Sequence, residues 1–134
     1  MSTRRSIILV EPEEVVAEIT SFRLELLGYQ VALAVRGEKV AELTKANRPD
    51  LFIIDLRLPG LNGLSLIEQL TANEATSTIP VIAISFDADI DLVQQAFSAG
   101  ASDYLVAPFD PLVLEDKVAK MIDAAPQRPA PAKV

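Results

Sequence analysis

The stretch "LFIIDLRLPGLNG", Leu51–Gly63, decides how this chain folds. Leu51 to Ile54 are four apolar residues with no polar alternation, the pattern of a strand covered on both faces, as central strands of parallel sheets are. Pro59, Gly60, Asn62 and Gly63 then predict a turn before a helix that starts near Leu64. Between strand and turn stands Asp55. A carboxylate at the mouth of a hydrophobic sheet is partly desolvated and faces whatever cation or phosphoryl group enters the crevice. The plainer alternative is that Asp55 caps the turn.

Working outward, the same kind of apolar run recurs at Ile7–Val10, Tyr29–Ala34, Val81–Ile84 and Tyr104–Val106, each of strand length and rich in β-branched residues. Between the runs lie helical spacings. Val15, Ile19, Phe22 and Leu26 share one face of a helix, as do Ile90, Val93 and Phe97, and Leu114, Val118, Met121 and Ala125. These stripes are expected to face the core. Strand and helix therefore alternate five times, which with right-handed crossovers predicts an α/β three-layer sandwich around a five-stranded parallel sheet. Five strands favour the flavodoxin-like order 2-1-3-4-5, whose ligands sit beyond the carboxyl ends of the strands near the switch point between strands 1 and 3. Glu11, Pro12, Asp55 and Ser85 occupy those ends. Residues 1–124 are expected to form one domain. The Pro/Ala-rich segment "APQRPAPAKV", 125–134, is expected to be a disordered tail or the start of a linker.

Composition narrows the chemistry. The 134 residues include no cysteine and no histidine, which excludes disulfides, thiolate metal sites, cysteine nucleophiles and any histidine-centred catalysis by this chain. Twelve basic against nineteen acidic residues give a net charge of −7, which argues against a sequence-independent grip on nucleic acid. Arg4 and Arg5 precede an apolar run of only four residues, far short of an export signal, and no run is long enough to span a membrane. A cytoplasmic location is expected.

Three motifs in order resemble the response-regulator receiver domain of two-component signalling, over about Ser6 to Ala124. "DLRLPGLNG" looks like the phosphoacceptor Asp and its Pro-x-x-Asn-Gly turn; "IPVIAIS" is similar to the fourth strand with its terminal hydroxyl; "AGASDYLVAPF" resembles the fifth-strand segment that ends in Lys-Pro-Phe. The resemblance implies Asp55 as phosphoacceptor, Ser85 as the hydroxyl, Tyr104 as the aromatic switch and Pro108 after a cis bond. It also implies a Mg²⁺ held by carboxylates, and a histidine kinase or effector as partner. The surface of helix 4, strand 5 and helix 5, with Asp91, Gln94, Gln95, Tyr104, Asp116, Lys117 and Lys120, is implied as the partner face, a second copy of the chain included.

Two departures stand against this pattern. The acidic pair after strand 1 is Glu11-Pro12, and Pro12 has no side-chain oxygen; Ala107 replaces the Lys that binds a phosphoryl oxygen. Glu11 and Asp55, with the carbonyl of Arg57 as a further donor, leave a weak Mg²⁺ site or none, since Mg²⁺ demands tight octahedral geometry. "EPEE" equally suits a helix start, with proline in the first turn and carboxylates at the positive end. Arg57 could swing over Asp55 as a substitute cation, though a solvated side chain is the expectation. Phe86 stands where the family prefers a small residue, and packing under its loop is expected. The functional expectation is a receiver-type module with a degenerate site, acting through protein contacts and at most a phosphoacceptor, not an enzyme. The alternatives are a working acceptor at Asp55 with altered metal dependence, such as Mn²⁺, and, in another class, a flavodoxin-like cofactor binder. The last is disfavoured because Glu-Pro-Glu-Glu offers a phosphate few N–H groups and much negative charge.

Overall fold

The computed structural model describes residues 4–124. The expectations for 125–134, and for Ala125 on the last helical stripe, lie outside the described residues. The order is β1 (Ser6–Val10), α1 (Glu14–Leu26), β2 (Gln30–Ala34), a single 3₁₀ turn (Gly37–Lys39), α2 (Val40–Ala46), β3 (Leu51–Asp55), α3 (Gly63–Ala72), β4 (Val81–Ser85), α4 (Ile90–Ala99), β5 (Asp103–Val106) and α5 (Pro111–Ala124). The strands form one parallel sheet in the order β2-β1-β3-β4-β5, as the strand pattern predicts.

The unbroken apolar runs explain the layers. Every residue of β1, β3 and β4 is buried, because helices cover both faces of these three strands. On one face Ile8, Val10, Phe52, Ile54 and Ala83 pack with Leu66, Ile67 and Leu70 of α3 and Ala96 and Ala99 of α4. On the other, Ile7, Leu9, Leu51, Ile53, Ile82 and Ile84 pack with Leu24 of α1 and Leu114, Val118 and Ile122 of α5. Alternate residues along each strand serve opposite faces, as the pleat requires.

Two helices turn a different face to this core from the one expected. In α1 the buried residues are Ala17, Ser21 and Leu24, whereas Val15, Ile19, Phe22 and Leu26 are exposed. In α4 Ala96 and Ala99 are buried while Ile90 and Phe97 are exposed and Val93 is half-buried. The physical reason is the same in both. Small residues let a helix lie close on the sheet, so each apolar stripe that spacing picks out had a competing stripe of smaller residues. The α5 stripe does face the core, with Leu114 and Val118 buried.

The inverted α1 face can be checked directly. At low micromolar protein, Leu24→Ala is expected to lower unfolding free energy in urea by about 2–5 kcal/mol, because Leu24 is fully buried. Phe22→Ala, on the outer face, is expected to change it by no more than about 0.5 kcal/mol. The reverse ranking would restore the face expected from spacing.

Candidate functional site

Parallel pairing brings the carboxyl ends of the strands to one edge. Val10 pairs with Ile54, Asp55 with Ile84 and Ser85 with Val106, so Glu11, Asp55 and Ser85 come together there. The turn after β3 is built tightly around this edge. Asn62 caps α3 by accepting a bond from the Ser65 N–H, at 2.9 Å. A side chain on Gly63 would meet the Leu56 Cα at 2.5 Å and the Asp55 carbonyl at 2.7 Å, so glycine is required where α3 starts against the site.

Asp55 is 1% exposed and both of its carboxylate oxygens accept from Arg57. Oδ1 accepts from the Arg57 backbone N–H at 2.8 Å and from Arg57 Nε at 3.2 Å, while Oδ2 accepts from Arg57 Nη2 at 2.9 Å. This is a two-pronged arginine–carboxylate pair, the strongest geometry for such groups. The plain turn-capping role of Asp55 is therefore real, through the backbone bond, and coexists with the ion pair. Arg57 stays exposed, as expected, yet its guanidinium also lies over the site, 3.7 Å from the centre of the Phe86 ring. Phe86 itself is half exposed and forms the wall against which Arg57 rests.

Glu11 is buried beside this pair. Its Oε2 accepts from the Glu13 N–H at 3.1 Å and lies 3.9 Å from Arg57 Nη2. Burial and the nearby Asp55 charge push the Glu11 carboxyl up to about 7, against the lowering from the Glu13 N–H and Arg57. Among the described residues no group of three or more Asp, Glu, His or Cys side chains is placed to hold a metal ion. Pro12 follows Glu11 and contributes no side-chain oxygen.

Ser85 and Tyr104 meet through a backbone group with no signature in the sequence. The Asp87 carbonyl accepts from Ser85 Oγ at 3.3 Å and from the Tyr104 hydroxyl at 2.9 Å, and the Asp87 N–H donates back to Ser85 Oγ at 3.0 Å. Ser85 is buried, and its hydroxyl is tied to the β4–α4 loop. Tyr104 is half-buried against the core beneath α4. Ala107, whose N–H bonds the Ser85 carbonyl at 2.7 Å, packs against the core cluster on the α5 side, and the Ala107–Pro108 bond is cis as the resemblance implies.

Comparison with known proteins bears on the family and the fold. The response regulator receiver domain model matches residues 7–119. The chain belongs to the response regulator receiver domain family. It is similar to the DNA-binding dual master transcriptional regulator RpaA of Synechocystis, 32% identical over 127 residues, covering 95% of this chain and 53% of that protein. This receiver thus spans about half the length of the curated relatives it matches. A putative response regulator from Chloroflexus aurantiacus superposes with a TM-score of 0.85 at 31% identity, covering 90% of this chain and 99% of the other. The receiver domain of the sensor histidine kinase PA1611 from Pseudomonas aeruginosa, with a magnesium ion coordinated in its active-site cleft, does so with 0.82 at 30% identity, covering 91% and 100%. No helix among the described residues is long and apolar enough to cross a membrane.

The Glu11 environment sets a pH dependence with a definite sign. Its carboxyl is raised from an ordinary 4.5 to about 7, so the folded receiver binds more protons than the unfolded chain between those values. Its contribution to stability is therefore present at low pH, falls as pH rises through that window and levels off above about 7. Urea unfolding of wild type against Glu11→Gln, from pH 4.5 to 8, is expected to show this fall in wild type and its loss in the variant. Equal slopes would mean Glu11 ionises normally.

Proposed function

We propose that this receiver is a cytoplasmic signalling module of the phosphorelay family whose acceptor is closed by its own arginine, and which acts mainly through protein contacts. The observation that carries the reading is the three-bond engagement of Asp55 by Arg57. A carboxylate that attacks phosphorus needs a free oxygen and cations beside it for the phosphoryl group. Here both oxygens are bonded, Pro12 and Ala107 remove a metal ligand and an ammonium, and the nearest cation neutralises the nucleophile instead.

The residues fit Mg²⁺ poorly. Glu11 and Asp55 would be its two carboxylates, with the Arg57 carbonyl as a third donor, but the Arg57 guanidinium already lies across both carboxylates. Like charge at that position opposes a divalent cation. A cofactor phosphate fits no better: Pro12 has no N–H, and the Glu13 N–H is taken by Glu11.

Contacts with a kinase or effector are assigned to the face of α4, β5 and α5. Ile90 and Phe97 are exposed there beside Asp91, Gln94 and Gln95. Tyr104 lies between them and α5 and is held by Asp87, so the switch residue is tied to the same loop as Ser85.

The test is phosphotransfer from a small phosphodonor such as acetyl phosphate, with Mg²⁺ or Mn²⁺, read by intact mass. Wild type and Asp55→Asn are expected to remain equally unmodified, and Pro12→Asp/Arg57→Ala/Ala107→Lys to gain one phosphoryl group. A phosphoryl adduct on wild type that is absent from Asp55→Asn, with either ion, would establish a working acceptor instead.

A further inference from the structure

The outer face of α1 is apolar, in a helix whose inner face already serves the core. Val15, Ile19, Phe22 and Leu26 are 66%, 57%, 61% and 70% exposed. Their spacing of four, three and four residues is a heptad seam of d, a, d and a positions. Ala17 and Leu24 take the f positions and Ser21 the c position, away from that seam, and these are the residues α1 buries in the fold. Four large apolar side chains on one exposed stripe are more than scattered surface hydrophobics, and a patch of this kind marks an interaction site.

The flanks of the seam indicate what covers it. Glu18 is at g and Arg23 at e, five residues apart, which is the g-to-e′ spacing that joins two parallel helices. In an antiparallel pair the flank carrying Glu18 and Glu25 would face its own copy, acid against acid. Arg23 is anchored by the Glu115 carboxylate of α5 through Nε, and its side chain keeps 42% of its surface open. The apolar surface also extends past the seam on either side. Val16 and Leu27 are exposed beside it, Leu33 and Val35 at the end of β2, and Leu112 and Val113 at the start of α5. The end of β2 and the start of α5 lie at the same end of the sheet, so parallel copies bring them to one level.

We propose that α1 is the interface between two copies of this chain, paired in parallel about a two-fold axis along the Val15–Ile19–Phe22–Leu26 seam, with Glu18 of each copy bonded to Arg23 of the other. The seam is under two heptads long, too short to associate as free peptides. The receiver fold holds it helical beforehand, so pairing bears no cost of helix formation. The face of α4, β5 and α5, where the sequence also places a second copy, is less suited to one. Along its stripe of Ile90, Val93 and Phe97 only Ile90 and Phe97 are exposed, against four large apolar residues on α1. The inference is independent of whether Asp55 accepts a phosphoryl group.

Sedimentation velocity on the full chain is the test, with a crosslink to fix direction. Wild type is expected to pass from monomer near ~10 µM to mostly dimer near ~1 mM, and Phe22→Glu to raise the dissociation constant at least ~100-fold with an unchanged thermal melt. The chain has no cysteine, so Leu26→Cys reports cleanly: in the parallel pair it meets its own copy and oxidises to a disulfide-linked dimer. A wild-type monomer at ~1 mM overturns the proposal. So does a dimer that survives Phe22→Glu. Failure of both Leu26→Cys and Val15→Cys to crosslink where Val15→Cys/Leu26→Cys does so would make the pair antiparallel. A chain that stays monomeric while its α1 amides shift on adding a helical kinase domain assigns the face to the kinase.

Discussion

A carboxylate buried at the end of a hydrophobic strand must be neutralised, and Asp55 is neutralised by a residue two positions along the same chain. β3 drives Asp55 into the sheet edge because its four preceding residues have no polar face. The turn through Pro59 and Gly63 then brings the chain back over the edge, and Arg57 is carried with it. Phe86 gives the guanidinium a surface to rest on. On the function proposed above, that counter-charge takes the place of an ion held by a second acidic residue after β1 and of an ammonium after β5. Pro12 and Ala107 occupy those two positions. The two departures agree with the ion pair: each removes a group that the resemblance implies beside the same carboxylate.

The same sheet explains why α1 can be apolar on its outside. Ala17 and Ser21 are small enough to let the helix backbone approach β1 and β2, and Leu24 alone fills the gap between α1 and α5. The stability of the layer is therefore supplied by strand residues and by Leu114, Val118 and Ile122 of α5. Val15, Ile19, Phe22 and Leu26 keep most of their side-chain surface outside that layer, where the proposed contact between molecules would use it. A helix with two usable stripes divides them between fold and assembly.

Much of this was legible in the sequence. Five apolar runs gave the strands to within a residue, because a strand buried on both faces has no competing reading of the same length. The strand ends placed Asp55 and Ser85 at the sheet edge, where the fold brings them together, and Tyr104, opposite Ala83 within β5, reaches the loop beyond Ser85 through its hydroxyl. The orientation of α1 and α4 was not legible: hydrophobic spacing reports that a stripe exists, and only packing against the sheet decides whether the large or the small stripe turns inward. The position of Arg57 depends on a side-chain rotamer, which spacing does not encode. The link between Ser85 and Tyr104 runs through the Asp87 carbonyl, and a backbone oxygen leaves no trace in residue identity.

The account stands or falls on the closure of Asp55 by Arg57, and the most direct measurement is a Mg²⁺ titration of ¹⁵N-labelled receiver followed at the Arg57 Nε–H signal. Beryllofluoride is added last, as a phosphoryl mimic, and Asp55→Asn serves as control. The account predicts a resolved Arg57 signal in wild type that is lost in Asp55→Asn, with the amides of Glu11, Asp55 and Ser85 unmoved at millimolar Mg²⁺ with or without the mimic. Release of the Arg57 signal with matching shifts at those amides and at Tyr104 would contradict it, and would identify a working switch whose arginine yields to the ion.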